Sequence, residues 1–364
     1  MVNIRQKLFS CIILFSIFLS GCGDMNKTQP KIDVAILMPL TGANAEQGKR
    51  LASLIQLGLE DALQGHVKLM IYDCATEEIA NTMMDKIIAK KTKIVLGPLY
   101  SNVTSSIIAK AEKNNITIIT LSNNPILAAN NTYVFGHAPM RQTERLMDYF
   151  LSKESKDFIL LLPKTRNSEI VGKLIQDIVV RGGGNPVHIE YYTDSTEEIA
   201  KAVEKISPIV EKMNESSEGK PVIYIADDSK ALEVILTSLK AHDLDNKAII
   251  AGDSRIDISY SWPIKLVYTG SLNHKNYNLN IKAKEILNVS HLTFMDLLAY
   301  DVGRMTSQYI GYGLDHELFL TRLNSPDTYL GASGILKFED NIAKRKYDII
   351  ERDGEHYVTI DKAR

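Results

Sequence analysis

No basic block unbalances this chain: 42 lysines and arginines stand against 44 aspartates and glutamates, a formal net charge of −2. That balance leaves no electrostatic footprint for nucleic acid. Beyond Leu19 no apolar run is long enough to cross a bilayer, which takes about 20 residues. Catalytic signatures are missing too. There is no Gly-x-Ser-x-Gly elbow, His316-Glu317 lacks the second histidine of a zinc motif, and the eight histidines show no ligand spacing. Residues 42–50 follow a strand and precede a helix, as a P-loop would. Five residues separate Gly42 from Gly48, however, and Arg50 stands where Ser or Thr would hold magnesium. Gly182-Gly183-Gly184 lies between a helix and a strand, the wrong side for cradling phosphate, and reads as a turn. No metal or cofactor is implied, and the expectation is a protein that is not an enzyme.

Cysteine is scarce: Cys11, Cys22 and Cys74 are the only three. Arg5 and Lys7 form a short positive region, residues 8–19 are apolar apart from Ser10 and Ser16, and Leu19-Ser20-Gly21-Cys22 follows. This is a signal-peptide pattern. The last four residues resemble the lipobox of bacterial lipoproteins, which implies cleavage before Cys22 and a diacylglyceryl group on its thiol. Residues 1–21 are then a lipoprotein signal peptide and 22–31 a lipidated, polar tether. With each buried CH2 contributing about 0.8 kcal/mol, acyl chains on Cys22 anchor the protein essentially permanently. Gly23 follows the cysteine and Asp24 sits one place past the usual position of an inner-membrane retention signal, which favours the outer membrane in a two-membrane host. The expected location is the cell envelope, lipid-anchored and facing the periplasm. Cys11 leaves with the leader and Cys22 carries lipid, so Cys74 has no disulfide partner and reads as a small buried apolar residue.

From Ile32 onward short apolar runs alternate with longer stretches of helical period, the signature of βαβ units and a parallel sheet. Strands are expected at 32–38, 67–72, 94–96 and 116–120, with helices at 45–63, 77–89 and 101–113 between them. A second series follows Met140: helices to Leu151, at 169–180 and from Thr196 and Lys230, and strands at 158–162, 187–192, 222–226 and 248–251. Residues 266–270 lead back towards the first lobe, where helices are expected at 294–310 and 316–323. Short strands at 334–338, 347–350 and 357–360 suggest antiparallel ribbons at the end. The fold class is α/β, with two doubly wound parallel-sheet lobes around a cleft. Residues 32–140 with 271–330 make the first lobe, and 141–270 with 331–364 the second.

Four stretches carry a family resemblance: Val34-Ala35-Ile36-Leu37-Met38-Pro39-Leu40-Thr41-Gly42, then Gly97-Pro98-Leu99-Tyr100-Ser101, Asn123-Asn124-Pro125, and Gly331-Ala332-Ser333-Gly334-Ile335-Leu336-Lys337-Phe338. Together they resemble type I periplasmic binding proteins of the leucine/isoleucine/valine-binding group. Val134-Phe135-Gly136-His137-Ala138-Pro139-Met140-Arg141-Gln142 and the phrase from Leu96 to Ser101 are most similar to lipoproteins that activate penicillin-binding proteins.

The resemblance implies a ligand carboxylate gripped by the first lobe on the loops after the third and fourth strands, at Ser101, Ser122 and Asn123. Ser101 opens a helix, where free N–H groups and the dipole favour an anion. Equally, Ser101 reads as an N-cap and residues 122–124 as a turn. Asp253, after the strand ending at Ala251, is the candidate for an ammonium. The second lobe departs from the receptor pattern. Pro163-Lys164-Thr165-Arg166-Asn167 and Asp227-Asp228-Ser229 lack the aromatic residues that wall an amino acid, although Lys164, Arg166 and the two aspartates could serve another ligand. The expectation is therefore an envelope lipoprotein that activates a penicillin-binding protein and so regulates peptidoglycan synthesis. The alternative is a receptor passing an amino-acid-like solute to an ABC permease.

Overall fold

The computed structural model describes residues 32–62, 67–216, 219–227, 231–254, 264–272, 279–288, 292–311 and 316–363. Cys22, the tether and Asp228 lie outside them. The first run of elements is β1 (Ile32–Met38), α1 (Ala45–Ala62), β2 (Val67–Asp73), α2 (Glu77–Ala89), β3 (Ile94–Leu96), α3 (Ser101–Lys113), β4 (Thr117–Thr120) and β5 (Thr132–Val134). The second is α4 (Pro139–Ser152), β6 (Asp157–Pro163), α5 (Ser168–Arg181), β7 (Asn185–Tyr192), α6 (Thr196–Ser216), β8 (Val222–Ile225), α7 (Ala231–Ala241), α8 (Leu244–Lys247), β9 (Ile249–Gly252) and β10 (Leu266–Gly270). Three helices follow, α9 (Leu279–Leu287), α10 (Phe294–Ile310) and α11 (His316–Leu323). The chain ends in β11 (Tyr329–Gly331), β12 (Gly334–Glu339), β13 (Ile342–Lys346), β14 (Asp348–Asp353) and β15 (His356–Asp361).

Two sheets result, ordered β11-β12-β13-β5-β4-β3-β1-β2 and β15-β14-β10-β9-β8-β6-β7. Each contains the same five-strand parallel motif, with its second strand at one edge and the first beside it, so one doubly wound topology is used twice. The inner strands β1, β3, β4, β6 and β8 are buried on both faces, as parallel sheets covered by helices require, while the edge strands β2 and β7 are partly exposed. In β1, Val34, Ile36 and Met38 enter one core while Ala35 and Leu37 enter another. In β6, Ile159 and Leu161 separate in the same way from Phe158, Leu160 and Leu162. A strand period of two sends successive residues to opposite helical layers.

One expectation is corrected. The sequence reading places residues from 331 onward in the second lobe, but β11, β12 and β13 pair in the first sheet, and the chain rejoins the second sheet only at β14. Ile342 of β13 pairs in parallel with Val134 of β5, so the antiparallel ribbon extends the first sheet instead of leaving it. The chain thus passes between the two sheets three times: after β5, after β10 and after β13.

Helices α1 and α10 cross closely in the first core. A Cβ at Gly303 would lie 2.1 Å from the Ile55 carbonyl oxygen, and one at Gly58 would lie 2.1 Å from that of Tyr300. Arg50 of α1 forms a two-toothed pair with Asp296, which also closes the capping box of Thr293 at the start of α10. Within the same turn of α10 as the crossing, the buried Asp301 carboxylate accepts the N–H groups of Ala332 and Ser333, both at 2.7 Å, which fixes the turn between β11 and β12.

Candidate functional site

In a doubly wound sheet, ligands meet the loops at the carboxyl ends of the strands. In the first sheet these are residues 39–42, 97–100 and 121–124. Gly97 takes φ +95°, and a side chain there would strike the Leu37 carbonyl oxygen at 2.2 Å, so only glycine lets the end of β3 pass this close to β1. The Pro98 carbonyl then accepts the Thr120 hydroxyl at 2.8 Å and the Leu121 N–H at 3.0 Å, tying the two loops together. Thr104 and Thr120 join hydroxyls at 3.0 Å beneath them.

This bracing aims the first turn of α3 at the strand ends. Tyr100, not Ser101, is the N-cap, and no side chain caps the helix. Ser101 is its first residue and half-buried, and its hydroxyl has no partner among the described residues. Ser122 is spent inside its own turn, where its hydroxyl accepts the Asn124 N–H at 3.2 Å and its carbonyl packs against Gly136. Asn123 is exposed, and Ile126 on the following 3-10 turn is 87% exposed.

Asp73, at the end of β2, accepts Leu40 N–H at 2.8 Å, the Thr41 hydroxyl at 2.6 Å and Ala75 N–H at 3.0 Å. Burial alone raises its pKa, but the hydrogen bonds to the charged form outweigh it and hold the carboxyl below the usual range. Its neighbour Cys74 is buried. Desolvation, helped by the Asp73 charge, pushes the thiol up to about 12, so this cysteine packs and does not react.

The second sheet offers the loops after β6, β8 and β9. Lys164 and Arg166 are exposed on the first of these, where the Ser168 hydroxyl donates to the Thr165 carbonyl at 2.5 Å. The aromatic residue missing from that loop arrives from elsewhere, as Tyr192 at the end of β7. Lys164 N–H donates to the Tyr192 carbonyl at 2.7 Å, and the Tyr192 hydroxyl donates to Asp227 at 2.5 Å. Both side chains of that pair are buried, so the ring is packed in the core and does not form a wall.

Asp253 is fully buried, at 0% exposure. Beside it, the N–H and hydroxyl of Ser254 both donate at 3.0 Å to Oε1 of Gln142, and His137 Nε2 lies 3.1 Å from the same oxygen. Tyr347, which burial pushes to a raised pKa, adjoins this group together with Arg345. Gln142 and His137 come from the first crossing and Tyr347 from the third, so the cluster around Asp253 belongs to the junction of the two halves. Sequence reasoning located Asp253 at a strand end but missed Gln142, His137 and Tyr347, whose only signal was their place beside the crossings. Among the described residues, no group of three His, Cys, Asp or Glu side chains could hold a metal ion.

The chain was compared with known proteins. The profile of the family described as periplasmic binding protein matches residues 31–270. An uncharacterised protein of Rickettsia prowazekii (strain Madrid E) is 43% identical over 370 residues, covering 99% of each chain. Among solved structures, an ABC transporter substrate-binding protein from Sphaerobacter thermophilus superposes with a TM-score of 0.67 at 15% identity, covering 91% of this chain and 96% of its own. The C-domain of LpoA from Haemophilus influenzae, a regulator of PBP1A, gives 0.62 at 15% identity, covering 90% and 99%. The repeated five-strand motif, the three crossings and these likenesses agree: the chain belongs to the periplasmic binding protein family and has its leucine-binding-protein-like type I fold.

Proposed function

We propose that this protein is a non-catalytic envelope lipoprotein, anchored through Cys22 in the outer membrane and facing the periplasm, that engages a penicillin-binding protein and regulates peptidoglycan synthesis. One observation carries the reading: Asp253, the carboxylate expected to meet a ligand's ammonium, is closed off, as is Asp227 on the neighbouring loop. Asp253 has no exposed surface and Asp227 keeps only 4%, covered by Tyr192. An amino-acid receptor needs such a group open to the cleft, since a buried ammonium without a partner costs several kcal/mol. The likeness to the LpoA C-domain agrees with this reading. The test is a pull-down of the host's purified penicillin-binding proteins by the anchored protein, with glycan polymerisation measured in its presence. Retention of one synthase and a rise in its rate are expected. Failure with every synthase of the host refutes the reading.

The second reading, a solute receptor of an ABC importer, rests on α3. Its uncapped first turn and the unpartnered Ser101 hydroxyl form an arrangement that holds a carboxylate. Thermal shift against an amino-acid panel separates the two readings. A ligand at 100 times its dissociation constant stabilises by about 2.7 kcal/mol. Such a shift, lost in Ser101→Ala, would reverse the order.

A further inference from the structure

A concavity lies away from these strand ends, with a volume of about 370 Å³, within the range of small-molecule pockets. One wall is a single stripe of α4, where Arg141, Glu144, Arg145 and Asp148 recur at helical spacing. The other is β13, whose Ile342, Lys344 and Lys346 alternate onto one face. Helix α4 is fastened to the second sheet through Leu146, Met147 and Phe150, whereas β13 belongs to the first. The groove therefore straddles the two halves beside the first and third crossings. It shares no residue with the loops that carry Ser101, Asn123, Lys164 or Arg166.

Its charges do not balance. Glu144 is met by Arg141 at 3.2 Å, Glu339 at the rim by Lys337 at 2.7 Å, and Arg145 by Asp361 at 2.6 Å. Lys344 and Lys346 have no such carboxylate among the described residues. Just behind them Arg345 adds a third cation. Its Nη1 donates to the Gly136 carbonyl at 3.1 Å and its guanidinium lies 4.4 Å from the centre of the Phe135 ring, but Nε and Nη2 are buried without an acceptor. The lining as a whole sets five cations, Arg141, Arg145, Lys344, Arg345 and Lys346, against the carboxylates Glu144, Asp148 and Glu339; the buried Asp301 draws on Arg345 from behind and Glu339 on Lys344 from the rim, so the excess positive charge is greatest at Lys344 and Lys346.

Crowded cations repel, and an anion between them removes that cost. We propose that this groove binds a compact polyanion bearing phosphate or carboxylate groups, held by Lys344 and Lys346 on one wall and Arg141 on the other. Because the walls belong to different halves, a bound anion also biases the angle between them.

To test this, the full-length chain in detergent is titrated at constant ionic strength with inorganic phosphate, citrate and bis(glycerophospho)glycerol, the soluble form of a doubly charged lipid headgroup, and followed by calorimetry and thermal shift. Saturable binding of at least one probe is expected, weakened tenfold or more in the double variant Lys344→Gln/Lys346→Gln. The control pair Lys90→Gln/Lys113→Gln, which carries the same change in net charge on exposed sites of the first lobe, should bind as the unaltered chain does. A preference for bis(glycerophospho)glycerol assigns the anion to a headgroup, and a preference for phosphate or citrate to a free solute. Absence of saturation with all three probes overturns the proposal, as do equal binding by the Lys344/Lys346 variant and equal weakening by the control pair.

Discussion

Replacing Gly303 by alanine sets two physical effects against each other, and the sign of the outcome decides whether α1 and α10 touch. In a solvent-facing helix, Gly→Ala stabilises by about 1 kcal/mol through backbone entropy. Here the new methyl would sit 2.1 Å from the Ile55 carbonyl oxygen and 3.0 Å from Leu59 N, both backbone atoms that no rotamer change can move. Restoring an ordinary 3.4 Å contact parts the helices by about 1.3 Å. A gap of that order forfeits a quarter to a half or more of each dispersion contact along the seam. Overpacking of this kind costs about 3 kcal/mol at the upper end of its usual range. Subtracting the entropic gain leaves a net loss of about 2 kcal/mol. For a lobe of this size the melting temperature should fall by roughly 4–8 °C, read by calorimetry on the unlipidated chain. Gly58→Ala should behave alike. Gly58→Ala/Gly303→Ala should cost less than the sum of the two, because one parting relieves both clashes. Gly172→Ala is the control: its nearest atom is the Tyr191 hydroxyl, the tip of a side chain that can swing away. An unchanged or raised melting temperature for Gly303→Ala would refute the close crossing.

Three further expectations follow from the same geometry. Asp296→Ala removes both the Arg50 pair and the capping box and should cost about 3 kcal/mol in denaturant unfolding, since the Asp296 carboxylate is only 2% exposed. Cys74, with its thiol pushed up to about 12, carries roughly one thiolate in ten thousand at pH 8; it should resist iodoacetamide in the folded chain and alkylate readily in guanidinium, and rapid labelling of the native protein would contradict its burial. Because the folded pKa of Asp73 is depressed, its contribution is complete above the ordinary carboxylate pKa and is lost as pH falls through the lowered value. Asp73→Asn should therefore be less stable than the native chain at pH 7 and lose less on acidification below about pH 4; parallel stability curves would contradict the assignment.

Much of the fold is legible in the sequence where periodicity is undisturbed. Helices Glu77–Ala89, Ser101–Lys113, Phe294–Ile310 and His316–Leu323 and the strand Ile94–Leu96 emerge with the bounds that periodicity suggests. Strand β13 does not, because Lys344, Arg345 and Lys346 erase the apolar alternation on a strand that borders a groove. Strand β5, Thr132–Val134, is as short as Ile94–Leu96 but follows Asn130-Asn131 and opens on a threonine, so it lacks the all-apolar run that marks the other. The mistaken boundary at 331 has the same origin: without β13, nothing ties the final ribbon to β5. At the strand ends, residue type located Ser101, Ser122, Asn123 and Asp253, but accessibility depends on partners far along the chain. Gln142, 112 residues away, lies against Ser254 next to Asp253, and Asp227 is covered by Tyr192 from another strand.

The late return of the chain to both sheets has a consequence for biogenesis. The first sheet waits for β11, β12 and β13 and the second for β14 and β15, all contributed after Tyr329. A polypeptide emerging amino end first, from a ribosome or an export channel, presents two unfinished sheets until nearly its last residue. Such long-range pairing is slow to form. The order of strands thus leaves one edge of each sheet open until late, and a stop codon near residue 329 would strip edge strands from both halves at once.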